Sequence, residues 1–103
     1  MEQTANLQQN QEQIEQLPNE LEELKKDMKK NLIFGSDRVL KLIRQGKIEK
    51  VYFSSNTPEN IKKDIEYYAK LSKIKTVYLN LPNDELGVFC KKPFSVAVIG
   101  LQK

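Results

Sequence analysis

Three observations predict an α/β protein, a three-layer α/β/α sandwich around a mixed sheet of about four strands. First, the apolar runs are short and continuous, as in Val51–Phe53 and Val96–Ile99, the pattern of strands covered on both faces. Second, the stretches between them carry apolar residues at helical spacing. Third, Gly35, Gly46 and Pro58 punctuate the alternation where helices should stop or start. Helices must then lie on both sides of the sheet to cover it. The 103 residues suffice for one compact domain and not for two.

Residues 1–17 read as a separate leader. Residues 1–16 are rich in Gln, Glu and Asn, with Leu7 and Ile14 as their large apolar residues, and alone they bury too little surface to offset ordering entropy. Yet Leu7, Ile14, Leu21 and Met28 are spaced by seven, with Leu17 and Leu24 between them, an a/d pattern. Pro18 interrupts it, because a mid-helix proline costs ~3 kcal/mol whereas a first-turn proline is tolerated. The leader is therefore expected to be disordered, or helical only with a partner. A firm helix should start at Pro18 or Asn19 and run to about Lys30, laid on the sheet by Leu21, Leu24 and Met28. Residues 18–103 then form the single domain.

Leu32–Phe34 is a short strand ending at Gly35. Ser36 is placed to cap a helix running to Gln45, with Gly46 as its stop. Val39, Leu42 and Ile43 share one side of it, and Arg38, Lys41 and Arg44 lie away from that side. Val51–Phe53 is a buried strand. Thr57 should cap the next helix, with Pro58 at its first position. On that helix Ile61, Ile65, Tyr68, Ala69 and Ser72 fall together, with Leu71 at the edge. Tyr68 thus faces the core and Tyr67 points ~100° away. Adjacent helical residues present no joint stacking surface, so the tyrosine pair is packing rather than a platform for bases. Thr76–Leu81 alternates, with Val77, Leu79 and Leu81 inward. A short helix from about Asn83 to Phe89 and a strand over Phe94–Leu101 close the chain.

Ionic residues are unevenly placed. Residues 1–30 hold seven acids and four lysines, whereas residues 31–103 hold thirteen Lys/Arg and seven Asp/Glu, a net of +6. A basic domain behind an acidic leader suits a polyanion partner. Cys90 is the only cysteine and there is no histidine, which excludes an internal disulfide, a Cys/His zinc site and a histidine-based triad. Phosphate-cradling GxxxxGK[ST], GxGxxG and the GxSxG elbow are all absent. Asp84 and Glu85 are adjacent and diverge on a helix, so they make no catalytic dyad. The expectation is a protein that is not an enzyme, with no metal, cofactor or small-molecule substrate. No apolar stretch approaches the ~20 residues of a membrane span, and the polar start does not read as a signal peptide. A cytoplasmic protein without membrane contact is expected.

Two stretches can carry chemistry. In FGSDRVLK, residues 34–41, a glycine leads from a strand into a helix whose first N–H groups are unpaired and partly positive. Arg38 can donate two bonds to a guanine edge or a phosphate, and Lys41 can meet a phosphate. The alternative is an ordinary capped helix with an Asp37–Lys41 pair. In ELGVFCKKPFSVAVIG, residues 85–100, apolar Leu86, Val88 and Phe89 precede Lys91, Lys92 and Pro93, a loop able to cover an unstacked base.

The stretches GSDRVLKLIRQGKIEKVYFSSNTP, IEYYAKLSK and ELG, followed by the final strand, resemble the kink-turn RNA-binding ribosomal protein superfamily. Within it the similarity is to the L-thirty-e branch of archaeal and eukaryotic large-subunit proteins, over about residues 31–101. The resemblance implies a sandwich that recognises a bent RNA with sheared G·A pairs, in the large ribosomal subunit. Carried over, the reading stretch is Gly35, Ser36, Asp37, Arg38 and Lys41, and the covering loop is Leu86, Gly87, Val88, Phe89, Lys91, Lys92 and Pro93. Asn56, before the helix proline, matches an asparagine near the RNA face. The implied partner is ribosomal RNA; the leader has no counterpart in the family, and it is its heptad pattern that suggests contact with neighbouring ribosomal proteins. Two departures stand out. The family often has asparagine or lysine at the Asp37 position and glutamate or glutamine at that of Arg38, so the donor and acceptor pattern is partly reversed. It also commonly has a small residue and a glycine where Phe89 and Lys91 stand. An interaction module or non-ribosomal ribonucleoprotein component, with the leader docking a partner helix, is the competing expectation.

Overall fold

The continuous apolar runs become the two central strands, because only a strand covered on both faces can bury every side chain. The computed structural model describes residues 19–103, in which four helices and four strands alternate. In chain order these are α1 (Asn19–Asp27), β1 (Leu32–Phe34), α2 (Ser36–Arg44), β2 (Ile48–Phe53), α3 (Glu59–Leu71), β3 (Lys75–Tyr78), α4 (Asn83–Phe89) and β4 (Val98–Gln102). The heptad positions Leu7 and Ile14, and Pro18, lie outside the described residues. The sheet order is β1-β4-β2-β3; β4 runs antiparallel to both neighbours and β2 runs parallel to β3. The sheet is therefore mixed, with short edge strands at β1 and β3.

Alternation along the strands divides the core into two faces. On one face Leu21 and Leu24 of α1 and Leu86 of α4 pack with Tyr52, Val77 and Ile99. On the other, Val39 and Ile43 of α2 and Ile65 of α3 pack with Val51, Phe53 and Val98. That is the three-layer sandwich. Met28 packs against the first cluster, as its heptad position suggests, although α1 ends at Asp27 rather than Lys30.

A side-chain network fixes α1 to the sheet. The Asp27 carboxylate is only 5% exposed and accepts bonds from the Tyr52 hydroxyl and, at 2.9 Å, from the Lys50 ammonium. Glu23, one turn earlier, pairs with Lys50 and with Lys75 at 2.9 Å, so one helix face grips β2 and β3 together. Burial alone would raise the Asp27 carboxyl, but the Tyr52 and Lys50 bonds outweigh it and hold it below its ordinary range. Burial would also lower the Lys50 ammonium, and its two carboxylate partners raise it instead. Burial first, then the bond to Asp27, pushes the Tyr52 hydroxyl far up.

Three helices end in the same way. In α2, α3 and α4 the residue after the cap has positive φ (Gly46 at 73°, Lys73 at 57°, Lys91 at 59°). In each, its N–H and the next one return to carbonyls of the last turn, as in Lys91 to Val88 and Lys92 to Gly87, both 2.9 Å. This closure satisfies carbonyls the helix leaves unpaired. Only α2 uses glycine there, at the stop read from the sequence.

Several boundaries differ from the sequence reading, each for a hydrogen-bonding reason. Ser36 and Thr57 are not caps: Gly35 and Pro58 occupy those positions, without side-chain bonds to the helix. Thr57 Oγ1 instead lies 3.1 Å from the Ala97 carbonyl and 3.0 Å from that of Ser54. The last strand starts at Val98, not Phe94, because the preceding backbone bonds to loops: Val96 N–H donates to Asn83, and the Ala97 carbonyl accepts from Ser54 N–H. The second strand starts at Ile48, earlier than Val51.

Candidate nucleic-acid interface

The C-terminal ends of β1, β2 and β3 lie beside the start of β4, and α2, α3 and α4 all begin there. Gly35, Ser36 and Asn56 lie at this end, Asp37, Arg38, Lys41 and Leu86 to Phe89 lie on helices leading away from it, and Lys91, Lys92 and Pro93 follow α4.

Gly35 leaves β1 with φ 110° and ψ 134°, a backbone state that a side chain would strain, and turns the chain into α2. Its N–H donates to the Val98 carbonyl at 3.1 Å, and its own carbonyl accepts from Val39 at 3.0 Å. No side chain caps α2, so the N–H groups of Ser36, Asp37 and Arg38 have no intrahelical partner. Asp37, Arg38 and Lys41 are exposed while Val39 is fully buried, so packing orients the reading stretch outward. The Asp37–Lys41 pair is not among the ion pairs of the described residues, which removes the support for an ordinary paired helix.

The covering loop divides into a buried half and an exposed half. Leu86 is 0% exposed and belongs to the core, so it lies beneath the loop rather than on its surface. Gly87 is buried too: a Cβ there would meet the Phe94 carbonyl oxygen at 2.2 Å, so glycine lets the returning chain cross α4 closely. Phe89 is half-buried against the α1 side of the core. Val88, at 75% exposed, is the apolar residue that faces outward, with exposed Lys91, Lys92 and Pro93 following. Phe94, 54% exposed, joins Val88, Lys92 and Pro93 around one shallow hollow. Sequence reading missed Phe94 as a surface residue because one aromatic ahead of an apolar run looks like the first residue of a strand. Lys92 Nζ sits 4.6 Å from the Phe34 ring centre, and Phe34 directly precedes Gly35. The cationic loop thus borders the reading stretch.

Asn56 has its polar atoms occupied. Its carbonyl oxygen accepts from the Asn83 backbone N–H at 2.8 Å and from Ser54 Oγ at 3.2 Å; its amide nitrogen donates to Asn83 Oδ1 at 3.1 Å. Asn83 was read from the sequence only as the start of a helix. Its pairing with a residue 27 positions away left no local signal.

The tyrosine pair behaves as packing. Tyr68 is half-buried with the Arg44 guanidinium 4.9 Å over its ring, and Tyr67, 60% exposed, meets Tyr68 edge-on at 5.1 Å. Among the described residues no group of His, Cys, Asp and Glu is arranged to hold a metal, and no helix is long and apolar enough to cross a membrane.

A three-layer α/β/α domain with an uncapped helix start beside a basic, partly apolar loop defines a class by its fold: α/β/α sandwich proteins with a mixed four-stranded sheet. The chain belongs to the ribosomal protein L7Ae/L30e/S12e/Gadd45 family, whose sequence pattern matches residues 19–103. It is 44% identical over 72 residues to the large ribosomal subunit protein eL30 of Methanothermobacter thermautotrophicus, covering 70% of this chain and 74% of the relative. It is 40% identical over 67 residues to the Saccharomyces cerevisiae protein of the same name, covering 65% and 64%. Among solved structures, a Bacillus halodurans protein of unknown function superposes with a TM-score of 0.64 at 24% identity, over 70% of this chain and 71% of that one. The Giardia lamblia 15.5kD RNA binding protein superposes with a TM-score of 0.57 at 19% identity, over 70% and 60%. The kinship is with ribosomal proteins, the class the sequence led us to expect.

Proposed function

We propose that this chain is a structural RNA-binding protein of the large ribosomal subunit, and that residues 18–103 form one domain holding a bent, kink-turn-like RNA. The observation that carries this reading is the convergence of two surfaces at one sheet end, in a chain whose relatives are ribosomal. One is the exposed Arg38 and Lys41 beside the unpaired N–H groups of α2; the other is Val88, Lys91, Lys92, Pro93 and Phe94. The helix start and Arg38 face guanine edges or phosphate, Lys41, Lys91 and Lys92 neutralise phosphates, and Val88 with Phe94 covers an unstacked base. Residues 1–17 reach a neighbouring protein of the assembly.

The test is a titration against a short duplex with tandem G·A pairs and a three-nucleotide bulge. The control is the same duplex with Watson–Crick pairs, at ~150 mM salt, because phosphate-driven affinity depends steeply on salt. Preference for the bent RNA is expected. Equal, weak binding to both would mean that Asp37 and Arg38 abolish the guanine readout. Removing residues 1–17 should leave RNA affinity intact and weaken assembly with neighbouring proteins.

A further inference from the structure

The two halves of the proposed interface belong to different elements, and no core contact between α2 and α4 joins them, since they lie on opposite faces of the sheet. What joins them is a run of hydrogen bonds across the sheet end. From the α2 side, Gly35 N–H donates to the Val98 carbonyl at 3.1 Å. The next carbonyl back, Ala97, accepts from Ser54 N–H at 2.8 Å and lies 3.1 Å from Thr57 Oγ1. Ser54 Oγ donates to Asn56, and Asn56 grips Asn83 through two bonds, one to its backbone and one to its side chain. The Asn83 carbonyl in turn accepts from Val96 N–H at 2.9 Å, closing the loop on the α4 side.

Within this run the Asn56–Asn83 pair bridges the turn after β2 to the first residue of α4. Asn56 is exposed and Asn83 half-buried, and the bond between their side chains is open to water. A neutral hydrogen bond open to water is worth little in stability, so its value lies in geometry. Binding that needs two surfaces at a fixed separation gains affinity when that separation is set beforehand, because less ordering remains to be done.

We propose that Asn56 and Asn83 are positioning residues, a clasp that sets the covering loop of α4 at a fixed distance from the reading start of α2. This rests on the RNA-binding reading above, and it assigns Asn56 to holding the protein's own loop rather than to touching RNA. Asn83, which no motif marks, becomes as important as Asn56.

The experiment has two arms, on the full chain. In the free protein, amide hydrogen exchange is compared among wild type, Asn56→Ala, Asn83→Ala and Asn83→Asp. With Asn56→Ala the amides of Asn83 and Val96 should exchange faster while those of β2 and β4 stay unchanged. Asn83→Asp, which keeps the acceptor oxygen, should retain protection that Asn83→Ala loses. Unchanged protection at Asn83 in Asn56→Ala overturns the clasp, whatever RNA does, so this arm stands even if bent-RNA recognition fails. In the second arm, Asn56→Ala and Asn83→Ala should each weaken binding to the bent duplex by about 3- to 10-fold, the scale of one ordinary hydrogen bond. The double variant should lose no more than the larger single, because the two act as one unit. The salt slope should stay at the wild-type value, whereas removing a phosphate contact lowers it by ~0.7–0.9. Wild-type affinity in Asn83→Ala together with lost affinity in Asn56→Ala would overturn the proposal and return Asn56 to direct contact.

Discussion

At the scale of single residues, the proposed site separates exposed charges from the groups proposed to hold them in place. Arg38 and Lys41 are exposed on α2 and are not among the paired ions of the described residues. Arg38→Ala and Lys41→Ala should each weaken binding to the bent duplex, and the slope of log K against log salt should fall by ~0.7–0.9 where the side chain meets a phosphate. Titration at three salt concentrations reads both effects, and wild-type affinity in both variants would sink the assignment. Lys91 poses the opposite trade. It holds φ 59° at the end of α4, where a side chain is disfavoured by ~1 kcal/mol or more. Lys91→Gly should raise the urea midpoint and lower RNA affinity, a stability gain bought at the site. Had Lys91 no role at the interface, stability would rise with affinity unchanged.

At the scale of elements, α1 is attached differently from the other helices. Leu21 and Leu24 bury its apolar stripe, but Asp27, Lys50 and Tyr52 set its register on the sheet. Removing one member leaves the others buried and short of partners, which costs more than the bond itself is worth. Asp27→Ala should lower unfolding free energy by ~2–3 kcal/mol and Tyr52→Phe by ~1–2 kcal/mol, read from urea denaturation. RNA affinity of the folded variants should stay at the wild-type level, because α1 carries no residue of the proposed interface. The helix itself was legible from Leu21, Leu24 and Met28. The network was not, because Asp27 and Tyr52 are 25 positions apart and each looks ordinary alone. The same limit hid Asn83, whose partner lies across a loop, and misplaced Ser36 and Thr57, whose local signals fit a cap that the chain path then denied them.

At the scale of the whole molecule, the same network sets how stability follows pH. Hydrogen bonds from Lys50 and Lys75 hold the Glu23 carboxyl below its ordinary value, and Asp27 is held below its own. A lowered carboxyl stabilises fully above the unfolded value, about pH 4, and that stability is lost as pH falls through the lowered folded value. Lys50 and Tyr52 are raised, so their share is complete below about pH 10 and is lost as pH rises through the raised values. Stability should therefore be flat from about pH 5 to 9 and fall on both sides. The difference between wild type and Asp27→Asn should begin to shrink below about pH 4, the unfolded value, and vanish as pH falls through the lowered value at which folded Asp27 takes up its proton. Thermal melts across pH measure this; a difference that persists at low pH would mean the asparagine distorts the helix contact rather than removing a charge.

The sequence by itself determined the order of strands and helices, the apolar face of each helix and the family, because these depend on local periodicity and on motifs that are contiguous in the chain. It also placed the charged stretch at Arg38 and Lys41 and the loop after α4. Only the tertiary structure decided which loop residues face out, sending Leu86 and Gly87 inward and Val88 and Phe94 outward. It alone made Asn56 and Asn83 a pair and Asp27 the anchor of α1. Those outcomes depend on hydrogen bonds between residues far apart in sequence, and such partners exist only once the sheet has brought the loops together.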